Sequence, residues 1–425
     1  MTSENPNSRL HRGLGTKDAV VLGLGSMIGA GIFAAAGPAA VSAGGGLILA
    51  VALAGLAAFL NATTMAQLAA QYPESGGTYV YGRNLLGHYW GFLAGIGFVI
   101  GKTASCTAMA LAFAHYAFPS APHVVAVLTV LTLTTLNYFG VKKTVTATKL
   151  MVAVVLITLA LTVGAAWLGG NPEVVRLMNW TERGGIGGIL QAAAFMFFAF
   201  AGYARIATLG EEVTNPRVTI PRAIITALSI TLVLYLVVIA TVLSVLPIED
   251  LIASGAPLAL AVERTAYAHL SPLIRVGAAV ATLSVLLSLL VGISRTMFAM
   301  SYNRDLPHVF SAVHPKYKIP HRAEVAVGLI VAVVVGFADL RSAIGFSSFA
   351  ILTYYAIANW SALRLSAQSR LFPRLFAHLG LGVCLTLAWS LPVASILGGV
   401  LIFTLASLAF WFFRIRARGN GQESE

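Results

Sequence analysis

Long apolar segments with few charged residues alternate along the chain with short stretches rich in charge, proline or glycine. A helix of about 20 such residues has the length that the hydrocarbon core of a bilayer requires. The shorter apolar stretch at 257–270 contains Glu263 and Arg264, which predicts an interfacial helix in an outer loop. The pattern predicts twelve membrane-spanning helices, at residues 18–42, 46–71, 88–118, 122–140, 146–169, 187–211, 221–247, 273–301, 322–339, 342–366, 376–392 and 394–415.

The composition agrees with an integral membrane protein. Apolar residues make up 58% of the chain, charged residues make up 10%, and the mean hydropathy is +0.85. A soluble domain carries about 25% charged residues, so that class is excluded. Cys106 and Cys384 lie in separate apolar segments without metal-ligand or redox spacing, and we interpret both as packed core residues.

The distribution of lysine and arginine predicts the orientation. If the N-terminus is cytoplasmic, 21 of the 27 basic residues fall on the cytoplasmic side, five fall on the other side, and Lys102 lies inside a span. Residues 1–17 and 416–425 are therefore predicted to be cytoplasmic tails, the first without a cleavable signal pattern. The net charge of +12 follows from this asymmetry and from attraction to anionic lipid, so no nucleic-acid partner is expected.

The first predicted span contains the stretch GLGSMIGAGIFAAAGPAA at 23–40, in which five glycines and a proline weaken a helix. A dinucleotide-binding loop is excluded, because the glycines are spaced G-x-G-x-x-x-G within a long apolar segment. Gly25 and Gly29 have the spacing of a small-x-x-x-small helix contact. Alternatively, the helix is broken near mid-membrane at 29–31, where free backbone N–H groups face a cavity.

A matching interruption is predicted in the sixth span, in FMFFAFAGYARIATLGEE at 195–212. Interrupted segments at corresponding places in two halves are a sequence signal of a transporter binding site. Five spans per half also invert the topology between the halves. We therefore expect a transport core at 18–366, with one repeat at 18–169 and a second at 187–366, followed by two additional helices at 376–415.

Four stretches, in this order along the chain, carry a resemblance to a known family. They are GSMIGAGIF at 25–33, YPESGGTYVYGRNLLG at 72–87, GEEVTNPRVTIPRAI at 210–224 and SRTMFAMSYNRDLPHVFSAVHPKYKIPHRA at 294–323. The chain resembles the amino acid–polyamine–organocation superfamily, and most of all its bacterial amino-acid permease branch. The resemblance implies an all-α membrane protein of twelve helices with the LeuT-type five-plus-five inverted repeat. It also implies secondary active transport of amino acids.

The expected site follows from the two interruptions. A half-helix that starts near Gly29 presents free N–H groups and the positive end of its dipole, which suit a carboxylate. Carbonyl groups around Phe198 and Ala199 are expected to lack helical partners, which suits an ammonium group. The resemblance implies a pocket lined by Ser26, Met27, Ile28, Gly29, Ala30, Gly31, Phe198, Ala199, Ala201 and Gly202. Phe198 stands where relatives often place an aromatic side chain that closes over the substrate, although ordinary packing remains an alternative.

All fifteen acidic residues lie at span ends, in loops or in tails. This placement argues against an ion pair with a cationic side chain, so a neutral amino acid is the favoured substrate. Backbone carbonyl groups can still hold an amine, and an amino acid or polyamine exchanger is the alternative. A substrate-sensing receptor of the same fold is the alternative from another class.

Lys102 lies near the middle of the third span, ~20 Å of helix from either end, which is too far for its side chain to reach water. One hypothesis is that it loses and regains a proton during transport. The other is that it tethers the broken backbone without titrating. Some relatives place a coupling lysine in span five, where this chain has Val155. Sodium is less expected than protons as the coupling ion, with Ser284 and Ser288 as its candidate ligands.

Arg205 follows the second interruption and is interpreted as a gate or brace that reaches Glu211 or Glu212; contact with an anionic substrate is the alternative. The histidines lie mostly at span ends and in loops, so no enzyme active site, metal site or cofactor is expected. A channel would need a continuous polar lining or a charged ring, and the sequence has neither.

Overall fold

The structure is a computed structural model that describes residues 14–29, 31–72, 76–140, 145–177, 184–207, 209 and 212–419, with side chains described to Phe412. The described residues are helical and form no strand; a single bridge joins Leu14 to Val213. The α-helices are α1 (Thr16–Met27), α2 (Gly31–Ala43), α3 (Leu47–Gln71), α4 (Thr78–Leu86), α5 (His88–Ala117), α6 (Pro122–Tyr138), α7 (Val145–Gly169), α8 (Gly185–Phe200), α9 (Ala204–Ala207), α10 (Pro216–Val245), α11 (Ile248–Ala253), α12 (Pro257–Glu263), α13 (Ser271–Tyr302), α14 (His321–Phe337), α15 (Leu340–Leu363), α16 (Arg374–Trp389) and α17 (Val393–Gly419).

Each apolar segment predicted from the sequence coincides with one helix or with two consecutive helices. Helices α6 and α16 are apolar but shorter than a full span. The multi-pass helical class is confirmed, while the count of twelve crossings stays a prediction. Among the described residues, seven helical segments are long and apolar enough to cross a bilayer: Gly31–Gln71, His88–Ala117, Val145–Gly169, Gly185–Ala207, Pro216–Val245, Ala268–Tyr302 and Val393–Phe412.

The structure contains both predicted interruptions. Helix α1 ends at Met27 and α2 begins at Gly31. Helix α8 ends at Phe200 and passes into the 3₁₀ turn Ala201–Tyr203 before the short helix α9. A 3₁₀ turn has poorer hydrogen-bond geometry than an α-helix and commonly marks a change in helix direction.

The interrupted helices lie inside the bundle. Helices α2 and α3 pack against α8, while α1 packs against α7 and α10. Helix α5 packs against α13 and α15 and contacts α2. Since the interrupted segments are surrounded by other helices, their unpaired backbone groups are shielded from lipid, as a membrane interior requires.

One predicted helix start is wrong. The sequence predicts that the seventh span starts at Pro221, but α10 begins at Pro216, with Asn215 before it. Pro216 occupies the first helical position, where no N–H group is needed, and Pro221 is buried within the first two turns. The segment at 257–270 is helical as predicted, since it contains α12 and the 3₁₀ turn Ala268–Leu270.

A buried carboxylate joins the loops at one end of the bundle. The Asp305 side chain is 2% exposed and accepts a hydrogen bond of 2.6 Å from the Tyr79 hydroxyl. It also forms ion pairs with Arg83, at 3.4 Å, and with His88. Burial and the hydrogen bond to Asp305 raise the pKa of Tyr79 to about 12, so this phenol keeps its proton. The cluster connects α4 and the start of α5 to the segment that follows α13.

Candidate functional site

A cavity of about 220 Å³ lies where the two interruptions meet. Helices α5 and α13 form the opposite wall, and Tyr354 of α15 also contributes. The predicted residues that line the cavity are Ser26, Met27, Gly31, Phe198, Ala199, Ala201 and Gly202.

Two of the predicted residues do not line the cavity, and a third is not among those that the structure describes. Ile28 is 1% exposed, and neither it nor Gly29 lines the cavity. A Cβ atom on Gly29 would lie 2.7 Å from Val285, so this glycine packs against α13. Ala30 lies outside the described residues.

The two interrupted segments contact each other at two glycines, one in each segment. A Cβ atom on Gly31 would lie 2.0 Å from the Cα atom of Ala199. A Cβ atom on Gly202 would lie 2.3 Å from the carbonyl oxygen of Ser26. No side chain fits at either place, which explains why the sequence has glycine there. Gly25 packs against α7 whereas Gly29 packs against α13, so the two glycines do not form one small-x-x-x-small contact with a single helix.

The expectation about free carbonyl groups needs correction. The Phe198 carbonyl accepts a hydrogen bond from the Ala201 N–H, because the chain continues into a 3₁₀ turn. The Ala199 carbonyl accepts a 3.1 Å hydrogen bond from the Tyr235 hydroxyl. A carbonyl oxygen has two lone pairs, so each group can still accept a second hydrogen bond.

Tyr235 is a site residue that the sequence analysis missed. Its hydroxyl also lies 2.7 Å from the Met27 carbonyl oxygen, and its side chain is fully buried. It therefore bridges the last turn of α1 and the last turn of α8. A lone tyrosine in an apolar helix, 208 residues from Met27 in the sequence, gives no signal of this contact.

Lys102 lies halfway along α5 and lines the cavity. It is 9% exposed, and within the described ranges it has no hydrogen bond or ion pair. The neighbouring Ser105 hydroxyl is engaged with Ser347, at 2.7 Å, and with the Gly101 carbonyl. The ammonium group is thus buried at the cavity without a protein counter-ion in the part of the chain that the structure describes.

Arg205 and Glu212 also line the cavity, and they are close enough to interact electrostatically. The partner proposed as an alternative, Glu211, lies outside the described residues. Arg295 of α13 is a further cavity residue that the sequence analysis did not identify, and it interacts with both Arg205 and the buried Glu324.

Helix α13 supplies one face of the cavity. Its lining residues recur at the three- and four-residue spacing of one helix face. This spacing is visible in the sequence, but the predicted substrate pocket did not include α13. Ser288 belongs to this face and donates a 3.1 Å hydrogen bond to the carbonyl of Ser284, one turn before it. The described residues contain no cluster of His, Cys, Asp and Glu that could hold a metal ion. The face consists of Val285, Ser288, Leu289, Gly292, Arg295, Thr296 and Ala299.

Comparison with known proteins gives a consistent result. The family model for amino acid permeases matches residues 18–421. An uncharacterized transporter of Mycobacterium tuberculosis is 51% identical over 409 residues, which cover 96% of this chain and 93% of the relative. A branched-chain amino acid permease of Bacillus subtilis is 28% identical and covers 96% of this chain and 94% of its own length. A methylthioribose transporter of the same organism is also 28% identical, with coverage of 97% and 95%.

Proposed function

The chain belongs to the amino acid permease family, and from this premise we propose that it carries amino acids across the membrane by alternating access. Membership of the family makes it a multi-pass membrane transporter and not an enzyme. The observation that carries the proposal is the meeting of two interrupted helices at one cavity, because such ends offer both donors and acceptors to a zwitterion.

The proposed fold is the twelve-helix LeuT type. Helices α1 to α7 correspond to the first repeat, at 18–169, and α8 to α15 to the second, at 187–366. Each proposed repeat begins with an interrupted helix, which supports the assignment. Helices α16 and α17 are the two additional helices. The distribution of lysine and arginine supports cytoplasmic termini, and we place the protein in the cell (plasma) membrane.

The substrate lies between the two interruptions. Its carboxylate is placed at the start of α2, where the first N–H groups have no partner within the helix and the helix dipole is positive. Its ammonium group is placed against the remaining lone pairs of the Met27 and Ala199 carbonyls. The side chain then points towards Phe198 and the apolar residues Val285 and Leu289.

The charges of the cavity favour a side chain without positive charge. Lys102, Arg205 and Arg295 face the cavity, whereas Glu212 is the one acidic residue among the described residues that line it. A cationic side chain would meet like charges in a site of low dielectric constant, where repulsion is strong. We therefore favour neutral amino acids over cationic ones and over polyamines.

The proposed coupling ion is the proton, and Lys102 is the residue proposed to carry it. A buried ammonium group is costly without a partner, so loss of the proton during the transport cycle relieves that cost. Sodium is disfavoured, because the described cavity lining already carries three cationic side chains and one carboxylate, so a further cation would meet like charge. Arg205 and Glu212 are proposed to brace the inner end of the second interruption.

Uptake by the purified protein in liposomes tests the proposal. We expect saturable uptake of a radiolabelled neutral amino acid that other neutral amino acids compete, that lysine and putrescine do not compete, and that an inward proton gradient accelerates. Absence of uptake for every amino acid would overturn amino-acid transport. Competition by lysine would overturn the proposed side-chain selectivity. An uptake rate that is the same with and without the proton gradient would overturn proton coupling.

A further inference from the structure

The charges around the cavity point to a second class of substrate, and this inference rests on the proposed function of the same cavity. We propose that Lys102 forms a subsite for a carboxylate on the substrate's side chain, so that the transporter also accepts acidic amino acids of the aspartate and glutamate type. The proposal is carried by the burial of Lys102 at the cavity, by the carboxylates that lie near the other two cations, and by the position of α2.

Lys102 is the cationic residue of the cavity that pairs with no carboxylate among the described residues. It is nine-tenths buried and has no hydrogen bond or ion pair within the described part of the chain. A buried charge is stable only when it is paired, neutralised or bound to a ligand. Since Lys102 lines an open cavity, a ligand can reach it.

The two arginines of the cavity differ from Lys102. Arg205 lies within electrostatic range of Arg295 and of Glu212, and Arg295 lies within range of Glu324, which is 3% exposed. The Glu324 carboxylate also accepts a 2.8 Å hydrogen bond from Asn137. Each arginine therefore has a carboxylate nearby, whereas Lys102 has no hydrogen bond or ion pair among the described residues.

The first carboxylate of an amino acid does not need Lys102. The start of α2 at Gly31 already offers unpaired N–H groups and a positive dipole end at the cavity. A neutral zwitterion therefore leaves Lys102 uncompensated, and that ammonium group must lose its proton. An acidic amino acid brings one additional carboxylate, which pairs with the ammonium group without discharging it.

Uptake of glutamate and glutamine into liposomes tests the subsite, because the two side chains have nearly the same shape and differ in charge. We expect wild-type protein to take up glutamate with a KM at least tenfold below that of glutamine. In Lys102→Gln the ratio of the two KM values should fall to about one, because only glutamate loses a partner for its side chain. Lys149→Gln is the matched control, because Lys149 also belongs to a membrane helix but is exposed and pairs with Asp18 at 2.8 Å.

Several results would overturn the subsite. A wild-type preference for glutamine over glutamate would do so, as would a glutamate preference that persists in Lys102→Gln. If the variant does not fold, the unfolding temperature of the wild-type protein is measured with each amino acid instead. The subsite requires that glutamate raise this temperature more than glutamine does at equal concentration. Uptake of neutral amino acids without any glutamate effect leaves the proposed function intact, whereas absence of all amino-acid uptake removes both.

Discussion

The hydroxyl group of Tyr235 lies 2.7 Å from the carbonyl oxygen of Met27, and it lies 3.1 Å from that of Ala199. One phenol on α10 therefore joins the ends of α1 and α8, the two segments that meet at the cavity. A phenol has a single proton, so it donates fully to one carbonyl at a time. Tyr235 thereby fixes the separation of the two acceptors that are proposed to hold the substrate's ammonium group.

Removal of this hydroxyl should weaken substrate binding. We expect Tyr235→Phe to raise the KM for uptake at least several-fold and to lower the free energy of unfolding by about 1–3 kcal/mol, because buried carbonyls lose their donor. Tyr89→Phe is the control: the Tyr89 hydroxyl lies 2.9 Å from the hydroxyl of Ser407 on α17, and neither residue lines the cavity. An equal change of KM in both variants would contradict a positioning role for Tyr235.

A methyl group at the contact between the interruptions should abolish transport. In Gly31→Ala the new Cβ atom would lie 2.0 Å from the Ala199 Cα atom, so the two backbones must separate. We expect uptake to fall at least ~100-fold and stability to fall by about 1–3 kcal/mol, as overpacked cores do. Gly164→Ala on α7 meets nothing within 4 Å and should leave uptake unchanged.

These residues show how far the sequence predicts the site. The interruptions were predictable because glycine clusters inside apolar segments have a strong effect on the backbone, and Lys102 was predictable because a charge at mid-membrane is rare. Tyr235 and the partners of the Phe198 and Ala199 carbonyls were not predictable, because they depend on which distant helices touch. The α13 face was present in the sequence as a helical repeat, but every apolar membrane helix has several such faces, and packing selects one.

Neutralisation of the buried lysine should remove the pH dependence of transport. Lys102→Met keeps an unbranched apolar side chain of similar length but cannot bind a proton. We expect uptake of a neutral amino acid to persist without acceleration by an inward proton gradient, as measured in liposomes at fixed internal pH. Intact uptake with an unchanged pH profile would show that Lys102 only tethers the bundle.

The carboxylate of Glu263, at the end of α12, should contribute stability that depends on pH. Partial burial raises the pKa of Glu263, but hydrogen bonds from Ser271, at 2.6 Å, and Arg275, at 3.0 Å, outweigh this effect and keep that pKa below its ordinary value. The stabilisation is therefore complete above the ordinary pKa and is lost as the pH falls through the lowered one. The Glu263 side chain is 36% exposed, so solvent screening limits the effect.

Unfolding by denaturant in detergent measures this contribution. At neutral pH, Glu263→Gln should lower the free energy of unfolding by about 0.2–1 kcal/mol, and high salt should reduce the difference. The difference should disappear in acid, once the wild-type carboxylate is protonated. A difference between variant and wild type that stays constant down to low pH would contradict the assignment.

The contacts of Asp305 with Tyr79, Arg83 and His88 restrict how the helices that carry these residues can move relative to one another. Helix α4, the start of α5 and the segment after α13 share one buried carboxylate. In the proposed alternating-access cycle we therefore expect these three segments to move together as one rigid unit. Helix α1 is held to the rest of this face by the Leu14–Val213 bridge and by the surface pair between Asp18 and Lys149. For the proposed alternating-access cycle we therefore predict that α1 moves relative to α2 and that the cavity opens between α1 and this rigid unit.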